Sequence, residues 1–305
     1  TAIATQRVVD QRAAYLPDGM NTRIGPFLPS DWSMVSPTVK GLTLAQLLTH
    51  TSGIKDYGNT GMTYDKLRSF FSQFIDGSST TSCKGADVSD VSKAINPNDM
   101  SPCYSNYNFA ILRLVLPRLA GKIEDANAVT RGATLASQYQ QIVQEEVFNR
   151  VGRTGVTCKP PADQSKEALA YHGVDSTAKG SSSGDFTSTC GAYGWHLSVE
   201  DIAKLMSSLM KKDGKILNTS PDRYAFMANN GFGFDVTTNN ESEKNGGWGI
   251  NCDANKVCDA ISTSVAHFGR GRGNFVESEA PPFWQAEVEA AMAAHTLGLA
   301  AAFDA

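Results

Sequence analysis

The sequence predicts an α+β protein in which a long helical part precedes a small antiparallel sheet and a closing helix. From residue 1 to about residue 225, apolar residues recur at helical spacing in segments separated by polar or glycine-rich loops. Beyond about residue 225 the pattern changes to short runs bounded by turn residues. We therefore interpret residues 1–305 as a single domain, with a helical part over about 1–225 and a sheet part with its closing helix over about 226–305.

Several segments of the helical part have the apolar periodicity of helices. The predicted helices cover residues 1–14, 43–48, 64–74, 107–116, 134–148 and 202–210. Capping signatures support two of them, Thr43 with Gln46 and Ser198 with Asp201, because such pairs satisfy the first backbone N–H groups of a helix. Gly214, which follows Lys211-Lys212, is expected to stop the last of these helices.

The sheet part contains short stretches typical of strands. They cover residues 232–236, 248–252 and 257–267. The turns between them favour antiparallel pairing, because tight connections join antiparallel strands. Pro281-Pro282 then leads to an alanine-rich helix over about 284–301.

Composition excludes several classes of function. A hydrophobic content of 41% and a charged content of 19% are ordinary for a globular protein. A net charge of −4 without a basic cluster argues against a nucleic-acid partner. No apolar run reaches the length of a membrane span, since Arg113 and Arg118 interrupt the best candidate. We predict neither a metal nor an organic cofactor, and the cysteines never form the C-x-x-C pair of a zinc site.

The 6 cysteines lie at positions 83, 103, 158, 190, 252 and 258. An even number is consistent with disulfides and with a secreted or periplasmic protein. Cys252 and Cys258 are the favoured pair, because they would close a short hairpin. The other four could pair as 83–103 and 158–190, but sequence alone does not fix the connectivity.

Tyr104-Ser105-Asn106 is the stretch most suggestive of chemistry. It follows Pro102-Cys103 and opens the apolar run 107–116. At the mouth of a buried helix, a tyrosine phenol can move a proton and an asparagine carboxamide can hold a substrate. By itself the triplet is more typical of the turn that starts a helix than of a catalytic pair.

Together with two further stretches, the triplet resembles the serine β-lactamase-like superfamily. These stretches are the run from Thr43 to Ile54, with His50-Thr51-Ser52-Gly53 inside it, and Ala266-His267-Phe268-Gly269. The superfamily includes class C β-lactamases, D-alanyl-D-alanine carboxypeptidases, D-aminopeptidases and related esterases. The resemblance spans about residues 1–275 and implies a β-lactamase/transpeptidase-like fold, in which helices flank an antiparallel sheet.

The resemblance also implies site residues. In the superfamily a serine attacks a carbonyl and forms an acyl-enzyme. Tyr104 matches the tyrosine that relays protons, and Asn106 matches the asparagine that contacts substrate. His267 and Gly269 match the His-x-Gly or Lys-Thr-Gly element on an edge strand, where a side chain at the glycine would obstruct the substrate. The backbone N–H of Arg270 would supply half of an oxyanion hole, commonly worth about 3 kcal/mol.

The sequence departs from the superfamily in its nucleophile, which lies in Ser-x-x-Lys at the start of a helix. Ser52 belongs to a turn that looks structural, Ser176 runs into a serine- and glycine-rich loop, and Ser208 lies near the exposed end of its helix. In the superfamily the nucleophile's helix runs on into a segment like residues 1–10. We therefore expect the nucleophile in a preceding or separate piece, and an incomplete sheet here.

These features predict a serine hydrolase that acts on a small-molecule or peptide substrate with an amide, peptide or ester bond. Lysine recognises a carboxylate with a permanent charge, whereas a histidine at position 267 is only partly charged at neutral pH. A peptidase or esterase is therefore favoured over a true β-lactamase, with weak or no penicillin hydrolysis. The rival hypothesis is a non-catalytic relative that keeps the cleft as a binding or scaffold surface. His50 is predicted to be a hydrogen-bonded structural histidine.

Overall fold

The structure is a computed structural model. It describes residues 1–55, 62–73, 103–163, 171–172, 182, 184–233, 235–236, 241–250 and 259–269. Its helices are α1 (Ala2–Gln11), α2 (Pro37–Gly41), α3 (Leu44–Leu48), α4 (Tyr64–Gln73), α5 (Asn106–Leu119), α6 (Ala128–Val143), α7 (Val199–Lys211) and α8 (Arg223–Asn229). Each predicted helix within these ranges is present, whereas α2 and α8 were not predicted.

Both predicted capping boxes are confirmed. The Thr43 hydroxyl accepts a hydrogen bond from the Gln46 N–H, and the Gln46 side chain accepts one from the Thr43 N–H. Ser198 and Asp201 make the same reciprocal pair at the start of α7. The last helical residue is Lys211, and Lys212 adopts a left-handed conformation directly after it.

Helix α6 begins earlier than its predicted start at residue 134. Asn127 caps it by accepting a hydrogen bond from the Val129 N–H. Gly132 in its first turns lowers helix propensity, but it lets α6 approach α4, since a Cβ there would lie 2.7 Å from Tyr64 Cβ. Close packing of the two helices therefore outweighs the weak local signal.

Helix α5 forms the centre of the core. It contacts α1, α3, α4 and α6. Its apolar residues Tyr107, Ala110, Ile111, Leu112, Leu114, Val115, Leu116 and Leu119 are all 1% exposed or less. This burial explains why its sequence is almost continuously apolar and shows little amphipathic pattern.

The described strands form one antiparallel sheet in the order β1-β4-β3-β2. They are β1 (Tyr171–His172), β2 (Asp235–Val236), β3 (Glu241–Ile250) and β4 (Asp259–Gly269). The register pairs Glu243 with His267 and Trp248 with Ile261, with an irregularity between Lys244 and Gly246. The sheet therefore also draws on β1, from within the predicted helical part. The predicted closing helix over 284–301 lies outside the described residues.

A disulfide joins Cys158 to Cys190, as one of the sequence alternatives predicted. Cys103 is also disulfide-bonded, to a partner outside the described residues. Its pairing with Cys83, and the pair of Cys252 with Cys258, stay predictions.

Within the described part of the chain, no helix is long and apolar enough to cross a membrane. The same residues contain no cluster of acidic, histidine or cysteine side chains that could hold a metal ion.

Candidate functional site

The predicted pair Tyr104 and Asn106 lies at the N-terminus of α5. Ser105 caps this helix from an extended conformation, and its hydroxyl accepts a hydrogen bond from the Tyr107 N–H. The Tyr104 phenol donates a hydrogen bond of 2.9 Å to Asn106 Oδ1. This hydrogen bond holds the hydroxyl in place. Because Tyr104 is 56% exposed, the residue is still open to a ligand.

His50 holds the backbone on both sides of Tyr104. Its carbonyl accepts a hydrogen bond of 2.8 Å from the Cys103 N–H. Its Nδ1 accepts one of 3.2 Å from the Ser105 N–H. His50 can present both groups to the same segment because its backbone is left-handed, with φ of 57°.

The His50 ring contacts two aromatic rings. Its centroid lies 4.7 Å from that of Tyr104 and 5.3 Å from that of Phe109. The imidazole therefore contacts the Tyr104 ring and also packs against Phe109 of α5. The sequence prediction of a hydrogen-bonded His50 is confirmed.

Asn108 connects His50 to Ser52 beneath this turn. Its Nδ2 lies 3.1 Å from His50 Nδ1, and its Oδ1 accepts a hydrogen bond of 2.5 Å from the Ser52 hydroxyl. The Ser52 Oγ in turn accepts from the Ile54 N–H. A backbone N–H can only donate, so the bond from Ser105 makes His50 Nδ1 an acceptor, and a neutral His50 carries its proton on Nε2.

Ser52 therefore has a buried structural role, consistent with its sequence interpretation. Its side chain is 1% exposed and that of Asn108 is fully buried. Ser52 and Lys55 also lie in non-helical backbone. They thus lack the helical spacing that places a lysine one turn behind a nucleophilic serine.

Of the other two serines with a lysine three residues on, only Ser208 can be placed. It lies near the end of α7, as predicted, but its side chain is 5% exposed and donates a hydrogen bond of 2.6 Å to Asp213. Lys211 is exposed. Ser208 therefore lies on the face of α7 that packs against the core. Ser176 lies outside the described residues.

His267 and Gly269 lie near the C-terminal end of β4. They pair with Glu243 and Glu241 of β3. Strand β1 pairs only with residues 259 and 260, so among the described strands the other side of β4 is open from Ile261 to Gly269. Arg270 lies outside the described residues. The place of these three residues in the site stays a prediction.

Sequence reasoning missed Asn108 and the extent of His50's contacts. A signal for Asn108 was present, because an asparagine inside the otherwise apolar run 107–116 must find buried partners. Its partner His50 is 58 residues away in the chain, which no spacing rule identifies.

A second polar cluster lies away from this turn, around Asp31. Its carboxylate pairs with Arg131 at 2.8 Å and accepts a hydrogen bond from the Tyr64 hydroxyl. Burial alone would raise the pKa of Asp31, but the hydrogen bonds from Tyr64 and Arg131 hold it below its ordinary value. A surface cavity of about 370 Å³ adjoins it, lined in part by Asp65 and Arg68. None of the predicted site residues lines this cavity.

Comparisons with known proteins bear on both the chain and its fold. A family model described as Beta-lactamase matches residues 1–277. No curated protein sequence matches the chain.

Solved structures share the fold at low sequence identity. The octameric penicillin-binding protein homologue from Pyrococcus abyssi is 14% identical with a TM-score of 0.54, over 80% of this chain and 54% of that one. FmtA from Staphylococcus aureus is 14% identical with a TM-score of 0.51, over 90% and 67%. The D-amino acid amidase from Ochrobactrum anthropi SV3, complexed with L-phenylalanine amide, is 15% identical with a TM-score of 0.50, over 85% and 72%. This chain thus spans about half the length of the Pyrococcus protein.

Proposed function

Because this chain belongs to the beta-lactamase family, we propose that it is a serine hydrolase that works through an acyl-enzyme. The observation that carries the proposal is the hydrogen bond between the exposed phenol of Tyr104 and Asn106, at the open N-terminus of a buried helix. A phenol held in this way can exchange a proton with a reacting group, whereas a freely rotating one would lose the alignment.

In the proposed reaction, a serine hydroxyl attacks the substrate carbonyl and Tyr104 takes part in moving its proton. The same proton then passes to the leaving amine or alcohol, and water hydrolyses the acyl-enzyme in a second step. Asn106 orients the phenol and contacts the substrate. His267, Gly269 and the N–H of Arg270 would line the other side of the substrate, where the oxyanion forms.

We place the nucleophile outside the described residues. The side chains of Ser52, Ser105 and Ser208 are each 5% exposed or less. Each of their hydroxyls also donates a hydrogen bond within the protein. A Ser-x-x-Lys segment in a preceding or separate piece is the proposed source, with Ser176 as the internal alternative.

We propose amides, peptides or esters as substrates in preference to β-lactams. The position of His267 on β4 supports this choice, since histidine carries only a partial charge at neutral pH with which to bind a substrate carboxylate. Among the described strands, the side of β4 from Ile261 to Gly269 that faces away from β3 has no partner, and this supports an extended substrate, because unpaired strand backbone can bond to a peptide. Amidase activity in one solved relative fits the same substrate class.

A secreted or periplasmic location is part of the proposal. The disulfide between Cys158 and Cys190 and the bonded state of Cys103 support it, because disulfides persist in oxidising compartments.

A non-catalytic binding or scaffold protein is the second candidate. One observation favours it: no serine of the described residues combines an exposed side chain with a lysine three residues later in the chain, which is the order of Ser-x-x-Lys. Such a relative would keep the turn around Tyr104 as part of a binding surface.

Labelling of the whole protein with a fluorophosphonate, followed by peptide mapping, tests the proposal. A labelled serine in a segment preceding Thr1, together with hydrolysis of a chromogenic ester, is the expected result. A label on Ser176 would move the nucleophile to the internal alternative. Absence of any labelled serine and of ester hydrolysis would overturn the proposal in favour of the scaffold.

A further inference from the structure

We propose that His50 is a positioning residue that aims the Tyr104 phenol for proton transfer. This inference rests on the proposed function, because it assigns Tyr104 a role in acyl transfer. In this scheme His50 does not touch the reacting atoms. It acts through the tyrosine that lies on it.

The first support is the backbone clamp. The residues before and after Tyr104 both donate their N–H groups to His50, Cys103 to its carbonyl and Ser105 to its Nδ1. Two bonds to one residue leave the Tyr104 backbone little freedom to shift or rotate. The direction in which its side chain leaves the turn is thereby fixed.

The second support is the ring contact. The His50 and Tyr104 rings lie 4.7 Å apart at an interplanar angle of 37°, and Phe109 backs the imidazole from α5 at 5.3 Å. The Tyr104 ring therefore has a wall on one side, while Asn106 holds its hydroxyl at the far end. Without that wall, a side chain that is 56% exposed would reach other rotamers.

His50 is unsuited to take the proton through Nδ1. That nitrogen has a single lone pair in the ring plane, and two N–H donors, from Ser105 and Asn108, already point at it. Proton transfer to Nδ1 would place three hydrogens around one acceptor position. The geometry therefore points to positioning and not to direct base catalysis.

The substitution His50→Asn separates the two supports. Asparagine tolerates a left-handed backbone better than most residues, and its Oδ1 can replace Nδ1 as the acceptor. It removes only the ring beside Tyr104. We expect kcat for a chromogenic ester to fall about 10-fold with KM within about twofold, because small losses of alignment are costly in rate. The melting temperature should change by less than about 4 °C.

His196→Asn is the matched control. His196 also contacts an aromatic ring, Phe186, and its Nε2 lies 3.3 Å from the Gly184 carbonyl, far from Tyr104 in the chain. This variant should keep wild-type kcat and KM. A spectroscopic readout accompanies both variants. In the whole protein with ring-labelled tyrosine, the NMR signal that Tyr104→Phe removes should shift in His50→Asn and stay in place in His196→Asn.

The outcomes separate the inference from the proposed function. A wild-type protein that neither labels nor hydrolyses overturns the proposed function, and this inference with it. An active wild type whose His50→Asn variant keeps full kcat, or leaves the Tyr104 signal unmoved, overturns only the inference. If His50→Asn does not fold, Phe109→Leu loosens the imidazole without removing its hydrogen bonds. A lower kcat at unchanged KM then supports positioning, and wild-type kcat overturns it.

Discussion

The Tyr104 hydroxyl donates a hydrogen bond of 2.9 Å to Asn106 Oδ1, at the start of the buried helix α5. The two residues are separated by the capping serine, so the cap and the hydrogen bond define one rigid turn. A fixed donor at an exposed helix N-terminus differs from a chance triplet in one testable way. Its alignment depends on its neighbour.

Tyr104→Phe tests the proton transfer directly. Removing the hydroxyl leaves the ring contact with His50 intact, so we expect a folded protein. Acylation by the fluorophosphonate and ester hydrolysis should fall by at least about 10²-fold, the usual contribution of a general acid or base. Tyr15→Phe, at a tyrosine that is 76% exposed, is the control and should label at the wild-type rate. Wild-type activity in Tyr104→Phe would remove this residue from the reaction.

Asn106→Ala tests the alignment of the phenol. The substitution leaves the hydroxyl in place but deletes its acceptor. Since a neutral hydrogen bond is worth about 1 kcal/mol, kcat/KM should fall about 5-fold or more. Asn127→Ala makes the same truncation at the start of α6 and should cost stability without lowering kcat/KM. Steady-state kinetics on both variants check this, and equal losses of kcat/KM in the two would show a general effect of truncating an asparagine at a helix start.

Local chemistry made part of this site predictable. Tyr104 and Asn106 are two residues apart and Ser105 is a standard capping residue, so contacts within the triplet alone determine its arrangement. The capping boxes at Thr43 and Ser198 were predictable for the same reason. Contacts between distant segments were not. The bond from Ser105 to His50 joins residues 55 apart, and only the packing of α3 against α5 brings them together.

Short elements were missed because their local signals are weak. Helix α2 has a Ser36 cap and Pro37 at its start, but only five residues, too few for an apolar period to appear. The start of a long strand can also be missed from sequence. Ten-residue β3 begins at Glu241, before the predicted start at 248, because its polar N-terminal half gains pairing with β4 that no alternation pattern announces.

Ser52→Ala tests the buried network under the turn. It leaves Asn108 Oδ1 buried without its hydroxyl donor, and an unsatisfied buried acceptor costs about 1–3 kcal/mol. The midpoint of denaturant unfolding should fall accordingly. Ser72→Ala is the matched control, because its hydroxyl bonds to the Ser69 carbonyl at an exposed position. A stability loss shared by both variants, or absent from both, would contradict a buried role for Ser52.

Asp31→Asn should make stability less dependent on acid pH. Burial raises the pKa of Asp31, but the hydrogen bonds from Tyr64 and Arg131 outweigh it, so the folded pKa is depressed. A depressed carboxyl pKa contributes stability above its unfolded value of about 4, and this is lost as pH falls through the folded pKa. At pH 7 the variant should be about 2 kcal/mol less stable, and the difference should shrink below about pH 4. Denaturant unfolding of the wild type and of Asp31→Asn between pH 3 and pH 7 checks it, and a stability difference that stays constant over this range would contradict it.

Replacing either of two buried arginines by methionine should change the free energy of unfolding, with opposite signs for the two positions. Arg113 is 1% exposed; its Nη2 donates to the Met62 carbonyl, while its Nε and Nη1 have no partner among the described residues. Burial lowers the pKa of Arg113 to about 10. Arg131, by contrast, pairs with Asp31 at 2.8 Å and with Glu124 at 2.9 Å.

Arg113→Met keeps much of the side-chain volume and removes a buried charge that has no anionic partner among the described residues, so the free energy of unfolding at pH 7 should rise by about 1–3 kcal/mol. Arg131→Met removes the buried cation that pairs with both Asp31 and Glu124, to which Arg68 and Arg118 also pair, and should lower it by about 3 kcal/mol. The depressed pKa of Arg113 also means that the unfolded chain holds this proton more tightly, so wild-type stability should gain on Arg113→Met as pH rises through about 10. Denaturant unfolding at pH 7 and at pH 10.5 measures both effects. If Arg113→Met destabilises the protein as much as Arg131→Met does, a buried anion must compensate the Arg113 charge.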